Sequence, residues 1–178
     1  MNDQGIYSSI RLGLDTGDRL EFAHQDDSIS QTIMARTGSY SSHTGMVIRS
    51  REFNRVFVIE SLEGGPELNR LSTRVGSYNG HVWVCKLRDE YHHLRIKIGQ
   101  CALDYVDTGY DWIDTGKQLF VRVPPDDERL NCSEFVYFAL YNAGIFGQQL
   151  LDKAPWPGRE MDRLGAWHIK TLIKEAAK

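Results

Sequence analysis

Short apolar runs alternate with glycine, proline and charged breaks, and their spacing switches between the strand period of two and the helical period. Residues 6–16 fit neither template. Gly17-Asp18-Arg19-Leu20-Glu21-Phe22 reads as a turn entering a short strand. Ser28 to Arg36 suits a short helix, with Ile29 and Ile33 four apart on one face. A polar loop over 38–42 follows. His43 to Arg49 and Val56 to Ser61 are β-rich runs joined by a polar turn, which predicts a hairpin. A turn centred near Glu52 puts His43 almost opposite Glu60, where side chains touch. His81 to Leu87 is a third strand by alternation.

Asp89 to Asp107 reads as a helix capped by Asp89 and closed near Gly109. Its apolar stripe is Leu94, Ile98, Cys101 and Tyr105. Gln118 to Val123 is a further strand, stopped by Pro124-Pro125. A charged loop over 126–130 leads into an amphipathic helix that begins at Cys132 and ends at Gly144. Asn131 caps it, and Glu134 completes an Asn-x-x-Glu capping box. Pro155-Trp156-Pro157-Gly158 is a turn. A last helix carries Ile169, Leu172, Ile173 and Ala176. The pattern predicts an α+β fold in a single domain spanning 1–178.

Composition changes this picture little. Of 178 residues, 41% are hydrophobic and 25% charged, ordinary for a globular domain with a real core. A net charge of −3 argues against nucleic acid or an anionic membrane as partner. The basic residues between Arg159 and Lys178 are mixed with acidic ones and read as a solvated helix face. No signal-like start and no membrane-length apolar run is present, so a cytoplasmic location without integral membrane association is the expectation. Three cysteines, at 85, 101 and 132, do not make a disulfide framework, and they include no CxxC pair of a structural zinc site.

Cys132 is the candidate nucleophile. The first turn of a helix has unpaired N–H groups with partial positive charge, which favours a thiolate and can receive an oxyanion. The alternative for any helix cysteine is a small buried hydrophobe; Cys85, on an apolar strand, and Cys101, on an apolar stripe, take that role. His43 is the candidate base, since imidazole exchanges protons at neutral pH. Glu60, at the end of Val56-Phe57-Val58-Ile59, is the candidate orienter that fixes the imidazole tautomer. Ser133 is a weaker nucleophile candidate and a candidate substrate contact. Glu134 is a capping side chain. Tyr110 is a candidate for lining the cleft, with simple packing as the alternative.

Ser42-His43-Thr44-Gly45-Met46-Val47, Val58-Ile59-Glu60-Ser61, Gly109-Tyr110-Asp111 and Cys132-Ser133-Glu134-Phe135-Val136-Tyr137 together resemble the circularly permuted branch of the NlpC/P60 papain-like hydrolases. This is the permuted papain-like amidase group of YiiX/YaeF type, related to lecithin retinol acyltransferase. Gly17-Asp18-Arg19-Leu20 is similar to its opening turn, and the resemblance runs from about residue 17 to 145. It implies a circularly permuted papain-like fold, with a small antiparallel sheet packed against helices. It also implies a triad of Cys132, His43 and Glu60. The chain departs from the pattern at Asn131, where the family often has an aromatic residue, and across 113–130.

The resulting expectation is a cysteine hydrolase of amide or ester bonds that uses no metal or organic cofactor. Its partner would be a small-molecule, peptide or lipid substrate, such as a muropeptide, a γ-glutamyl amide or a lipid ester. Two other readings remain open: a binding module that keeps the cleft without turnover, and a metal site formed by His43, Glu60 and Cys132.

Overall fold

A computed structural model describes residues 3–106, 130–146 and 155–176. Its centre is a six-stranded antiparallel sheet in the order β4-β3-β2-β1-β5-β6. The strands are β1 (Arg19–His24), β2 (His43–Ser50), β3 (Arg55–Leu62), β4 (Gly65–Arg70), β5 (Gly80–Cys85) and β6 (Thr171–Lys174). The helices are α1 (Asp3–Ile10), α2 (Ser28–Thr37), α3 (Leu71–Ser77), α4 (Arg95–Leu103), α5 (Cys132–Ala143) and α6 (Arg159–Arg163). Single 3₁₀ segments at Arg11–Gly13 and Asp89–Leu94 precede β1 and α4.

Both faces of the sheet are covered. Successive side chains of a strand point to opposite sides, and β3 shows the consequence. Val56 and Val58 join Leu20, Phe22, Val47, Val82 and Val84 in one core, closed by Tyr7, Leu71 and Val75 of α1 and α3. Ile59 and Met46 join the opposite core, closed by Ile98 and Ala102 of α4 and by α5. Helix α5 is not amphipathic as expected: Cys132 through Leu140 are all buried. A helix apolar on every side belongs inside a protein.

The hairpin is present, and its turn over 51–54 includes Asn54 at φ 48. Its register is Met46 opposite Ile59 and Val47 opposite Val58. Continued by one pair, that register sets Gly45 opposite Glu60 and makes His43 a diagonal neighbour of Glu60. A Cβ on Gly45 would lie 2.9 Å from Val58 Cγ2 and 3.1 Å from Glu60 Cβ. The glycine leaves Glu60 room to lean across to His43.

Several elements differ from expectation. Residues 6–16 include the end of a helix and a 3₁₀ turn. Strand β4 and helix α3 were not anticipated, because Gly64-Gly65-Pro66 and Gly76 mask their short periods. The segment from Asp89 starts as a 3₁₀ turn, without an Asp89 cap, and becomes α-helical only at Arg95. The C-terminal segment is a five-residue helix followed by a strand, β6, which pairs with the open edge of β5. Ile173 is fully buried there while Ile169 is exposed. Lys174 is no solvated helix residue; its Nζ donates to the carbonyl of Val75 at 2.8 Å. The expected strand over 118–123, most of the 126–130 loop, Gly109 and Tyr110 lie outside the described residues. Among the described residues no helix is long and apolar enough to cross a membrane.

The strand assignment of the C-terminus has a direct test. Ile173→Ala should cost about 2–5 kcal/mol by removing a buried side chain. Ile169→Ala should stay within about 0.5 kcal/mol, as an exposed change. Urea unfolding midpoints distinguish this pattern from a helix that buries both residues.

Candidate active site

Glu60 projects from β3 on the side of Val56 and Val58, at the end of that hydrophobic row. Helix α3 turns Leu71 and Val75 into the same core, four residues apart. Arg74, three residues after Leu71, borders that face and meets Glu60. The guanidinium donates from Nε to Glu60 Oε1 at 2.5 Å and from a terminal nitrogen to Oε2 at 2.9 Å. It also rests on the rings of Phe22 and Tyr78, at 4.9 and 4.7 Å. Glu60 is 0% exposed. A carboxylate taken out of water is costly unless paired; this one is paired on both oxygens.

His43 opens β2 opposite Phe22, with ring centroids 5.5 Å apart. Its Nε2 lies 2.8 Å from Glu60 Oε2. The contact leaves Nδ1 as the ring nitrogen available to Cys132, whose charge acts on the imidazole. His43 keeps 19% of its side chain exposed, so the imidazole is held but reachable.

Cys132 is brought to His43 by two local devices. The Asn131 side chain accepts from the N–H groups of Ser133 and Glu134, at 3.1 and 3.0 Å, and Glu134 Oε2 accepts from the N–H of Asn131 at 3.0 Å. This is the reciprocal capping box read from the sequence. The Ser61 hydroxyl then donates to the carbonyl of Leu130 at 2.5 Å. That bond ties the lead-in to α5 to the residue after Glu60.

Ser133 is placed differently from its sequence reading. It is buried, and its hydroxyl, like its N–H, points to Asn131 Oδ1, at 3.1 Å. Both donors serve the cap rather than a ligand. The Cys132 N–H is the first-turn donor that the Asn131 cap does not occupy. Cys85 is buried, with Sγ 3.4 Å from an Arg19 nitrogen, and Cys101 is half-buried on α4. Arg74 went unnoticed in the sequence because α3 did; a cation three residues after Leu71 on a short helix carries no distinctive pattern.

The charges follow from these contacts. Burial lowers the His43 pKa, but it is outweighed by negative charge and a hydrogen bond at Cys132 and by Glu60, which together carry it from 6.5 up to about 10. Burial raises the Glu60 pKa, and His43 with Arg74 outweighs it, bringing it from 4.5 down to about 2. The arrangement favours a protonated imidazole with an ionised carboxylate behind it.

No family model matches the chain, and no curated protein does. Among solved structures the chain is similar to the crystal structure of a protein described as metalloprotein YiiX from Escherichia coli O157:H7. The TM-score is 0.64 at 18% identity, over 92% of this chain and 98% of that one. At that identity the likeness establishes a shared α+β fold, the YiiX-like arrangement expected from the sequence.

Two pH windows follow. Because the Glu60 pKa is depressed on folding, its contribution to stability is complete above about 4.5 and is lost as pH falls through about 2. Because that of His43 is raised, its contribution is complete below about 6.5 and is lost as pH rises through about 10. Urea midpoints against pH should show both declines. Arg74→Met should move the acid decline to higher pH and cost about 3–5 kcal/mol at neutrality, as for a broken buried pair. Cys132→Ala should shrink the alkaline decline.

Proposed function

We propose that this protein is a cysteine hydrolase of the circularly permuted NlpC/P60 papain-like type, acting on an amide or ester bond. The observation that carries the reading is the chain of contacts His43–Glu60–Arg74, with Cys132 acting on the same imidazole from the first position of a capped helix. Such a chain matches the requirements of a thiol nucleophile: a base within hydrogen-bond reach and a third group that orients the base.

In the proposed reaction, the Cys132 thiolate attacks the substrate carbonyl carbon and forms a C–S bond. The carbonyl π electrons move to oxygen, and the Cys132 N–H, which the Asn131 cap does not occupy, would stabilise that oxyanion. The tetrahedral adduct collapses, the C–N or C–O bond breaks, and imidazolium His43 gives its proton to the leaving amine or alcohol. Neutral His43 then takes a proton from water, hydroxide attacks the thioester, and acid and thiolate leave. Glu60 stays ionised throughout and holds the Nε2–H of His43. Candidate substrates are muropeptides, γ-glutamyl amides and lipid esters or amides.

The similar solved structure is described as a metalloprotein, so a metal on the same residues merits comparison. Both oxygens of Glu60 already receive the Arg74 guanidinium, and one also faces His43. A divalent ion beside Glu60 would sit against a fixed positive charge. Among the described residues no group of three or more His, Cys, Asp or Glu is arranged to hold a metal. The donor set does not fit a cation, and the thiol chemistry needs none.

A panel of p-nitrophenyl esters and aminomethylcoumarin amides tests the reading. Turnover should accompany a transient acyl mass on Cys132. Cys132→Ala should abolish turnover in a chain that remains folded, and His43→Ala should lower it by about 10²–10⁴-fold. Turnover retained in a folded Cys132→Ala protein would reject the nucleophile. Ligand binding without turnover by a folded wild-type protein would favour a binding module.

A further inference from the structure

A pocket away from Cys132 lies where the N-terminal segment crosses the start of β3 and the end of β4. It encloses about 200 Å³ and is lined by Tyr7, Arg11, Arg55, Val56, Arg70 and Ser72. The β3–β4 register, with Phe57 opposite Arg70, brings Arg55 and Arg70 to the same end of the ladder. Arg11 and Arg55 each place one N–H on the carbonyl of Asn54, which projects from the hairpin turn at φ 48. That shared acceptor sets the two guanidinium groups side by side, with further donors remaining on each. Among the described residues no carboxylate lines this pocket. Three cations are thus gathered in a chain whose net charge is −3.

Tyr7 supplies an independent observation. Its hydroxyl is buried, and among the described residues no acceptor lies within hydrogen-bond distance of it. The residue is 7% exposed. The largest charge acting on it is Arg11, and a guanidinium can only donate to the phenol oxygen. The phenol proton therefore lacks an acceptor among the described residues, beside the positive charges of Arg11 and Arg49. A buried donor left unmatched is unfavourable. An oxyanion in the pocket would accept from Tyr7 and from the guanidinium groups together, and phosphate geometry suits bidentate arginine contacts. The volume is below the ~300–1,000 Å³ of pockets for drug-sized ligands, and suits a single small anionic group.

We propose that this pocket binds a phosphate monoester group, through Arg11, Arg55 and Arg70 with Tyr7 at its floor. The site is distinct from the hydrolase reading and does not rest on it. The group can reach the pocket on a soluble molecule or as the headgroup of an anionic lipid.

The experiment is calorimetric titration of the full chain with inorganic phosphate at constant ionic strength, beside co-sedimentation with phosphatidylcholine vesicles with and without phosphatidic acid. Saturable binding is expected, weakened about tenfold by Arg55→Gln or Arg70→Gln, the size of one charge-assisted contact. Tyr7→Phe should weaken it severalfold, and Lys97→Gln, on α4, should not. Arginine-dependent binding of free phosphate supports a soluble ligand. The same dependence seen only on phosphatidic acid vesicles supports a lipid headgroup. Absence of binding in both arms would overturn the proposal. So would equal weakening by Lys97→Gln, or binding indifferent to Arg55 and Arg70 in variants that melt like wild type.

Discussion

The carboxylate of Glu60 is the constraint around which this molecule is arranged. It is ionised and out of contact with water, a state that stands only while opposite charge and hydrogen bonds surround it. Arg74 provides the fixed charge and His43 the second partner. Meeting that need draws three elements together: β3 carries the acid, β2 the imidazole, and α3 the guanidinium. The hydrophobic rows on the same face decide where these side chains arrive. Val56 and Val58 set the side of β3 on which Glu60 stands, and Leu71 and Val75 set the face of α3 that Arg74 shares. Gly45 contributes by lacking a side chain.

The thiol comes to this pair from the opposite layer. Helix α5 is buried along most of its length, so its position is fixed by packing rather than by its first turn. The first turn is then adjusted by polar contacts: the Asn131–Glu134 capping box and the bond from Ser61 to the carbonyl of Leu130. A second buried polar group steadies the strand beside β2. Arg19 lies 3.0 Å from Glu21 as a charge pair without hydrogen-bond alignment, stacks on Trp167 at 4.4 Å and contacts Asp162. Glu21 also accepts from Ser41 and from the N–H of Gly158. The loop leading into His43 is thereby held to the Pro155–Gly158 turn. Gly158 is required there, with φ 70 and the Ser39 and Ser41 hydroxyls where a Cβ would be.

The legible parts of the fold were those governed by local rules. The β2–β3 hairpin declared itself through two apolar runs and a polar turn, and the α5 start through Asn131, Cys132 and Glu134. The Cys132, His43 and Glu60 constellation was legible because helix-start chemistry and cross-strand proximity are both short-range patterns. Less was legible where tertiary context decides. Thr171–Lys174 has an acceptable helical stripe, yet β5 offers an open edge and the segment pairs with it. Ser133 is a polar residue at a helix start, yet both its donors are taken by Asn131. Arg74 could not be singled out, because its value lies wholly in the buried acid across from it, and Arg19 is likewise explained only by Glu21 and Trp167.

The central proposal is that Cys132 is a nucleophile served by His43, which Glu60 backs. The rate of iodoacetamide alkylation at Cys132 against pH, mapped by mass spectrometry in the native chain and in His43→Ala, tests it most directly. The account predicts fast labelling of Cys132 well below the free-thiol value of about 8.5, and a marked slowing at those pH values when the imidazole is removed. Slow labelling of a folded native chain, or a profile unchanged by His43→Ala, would contradict it.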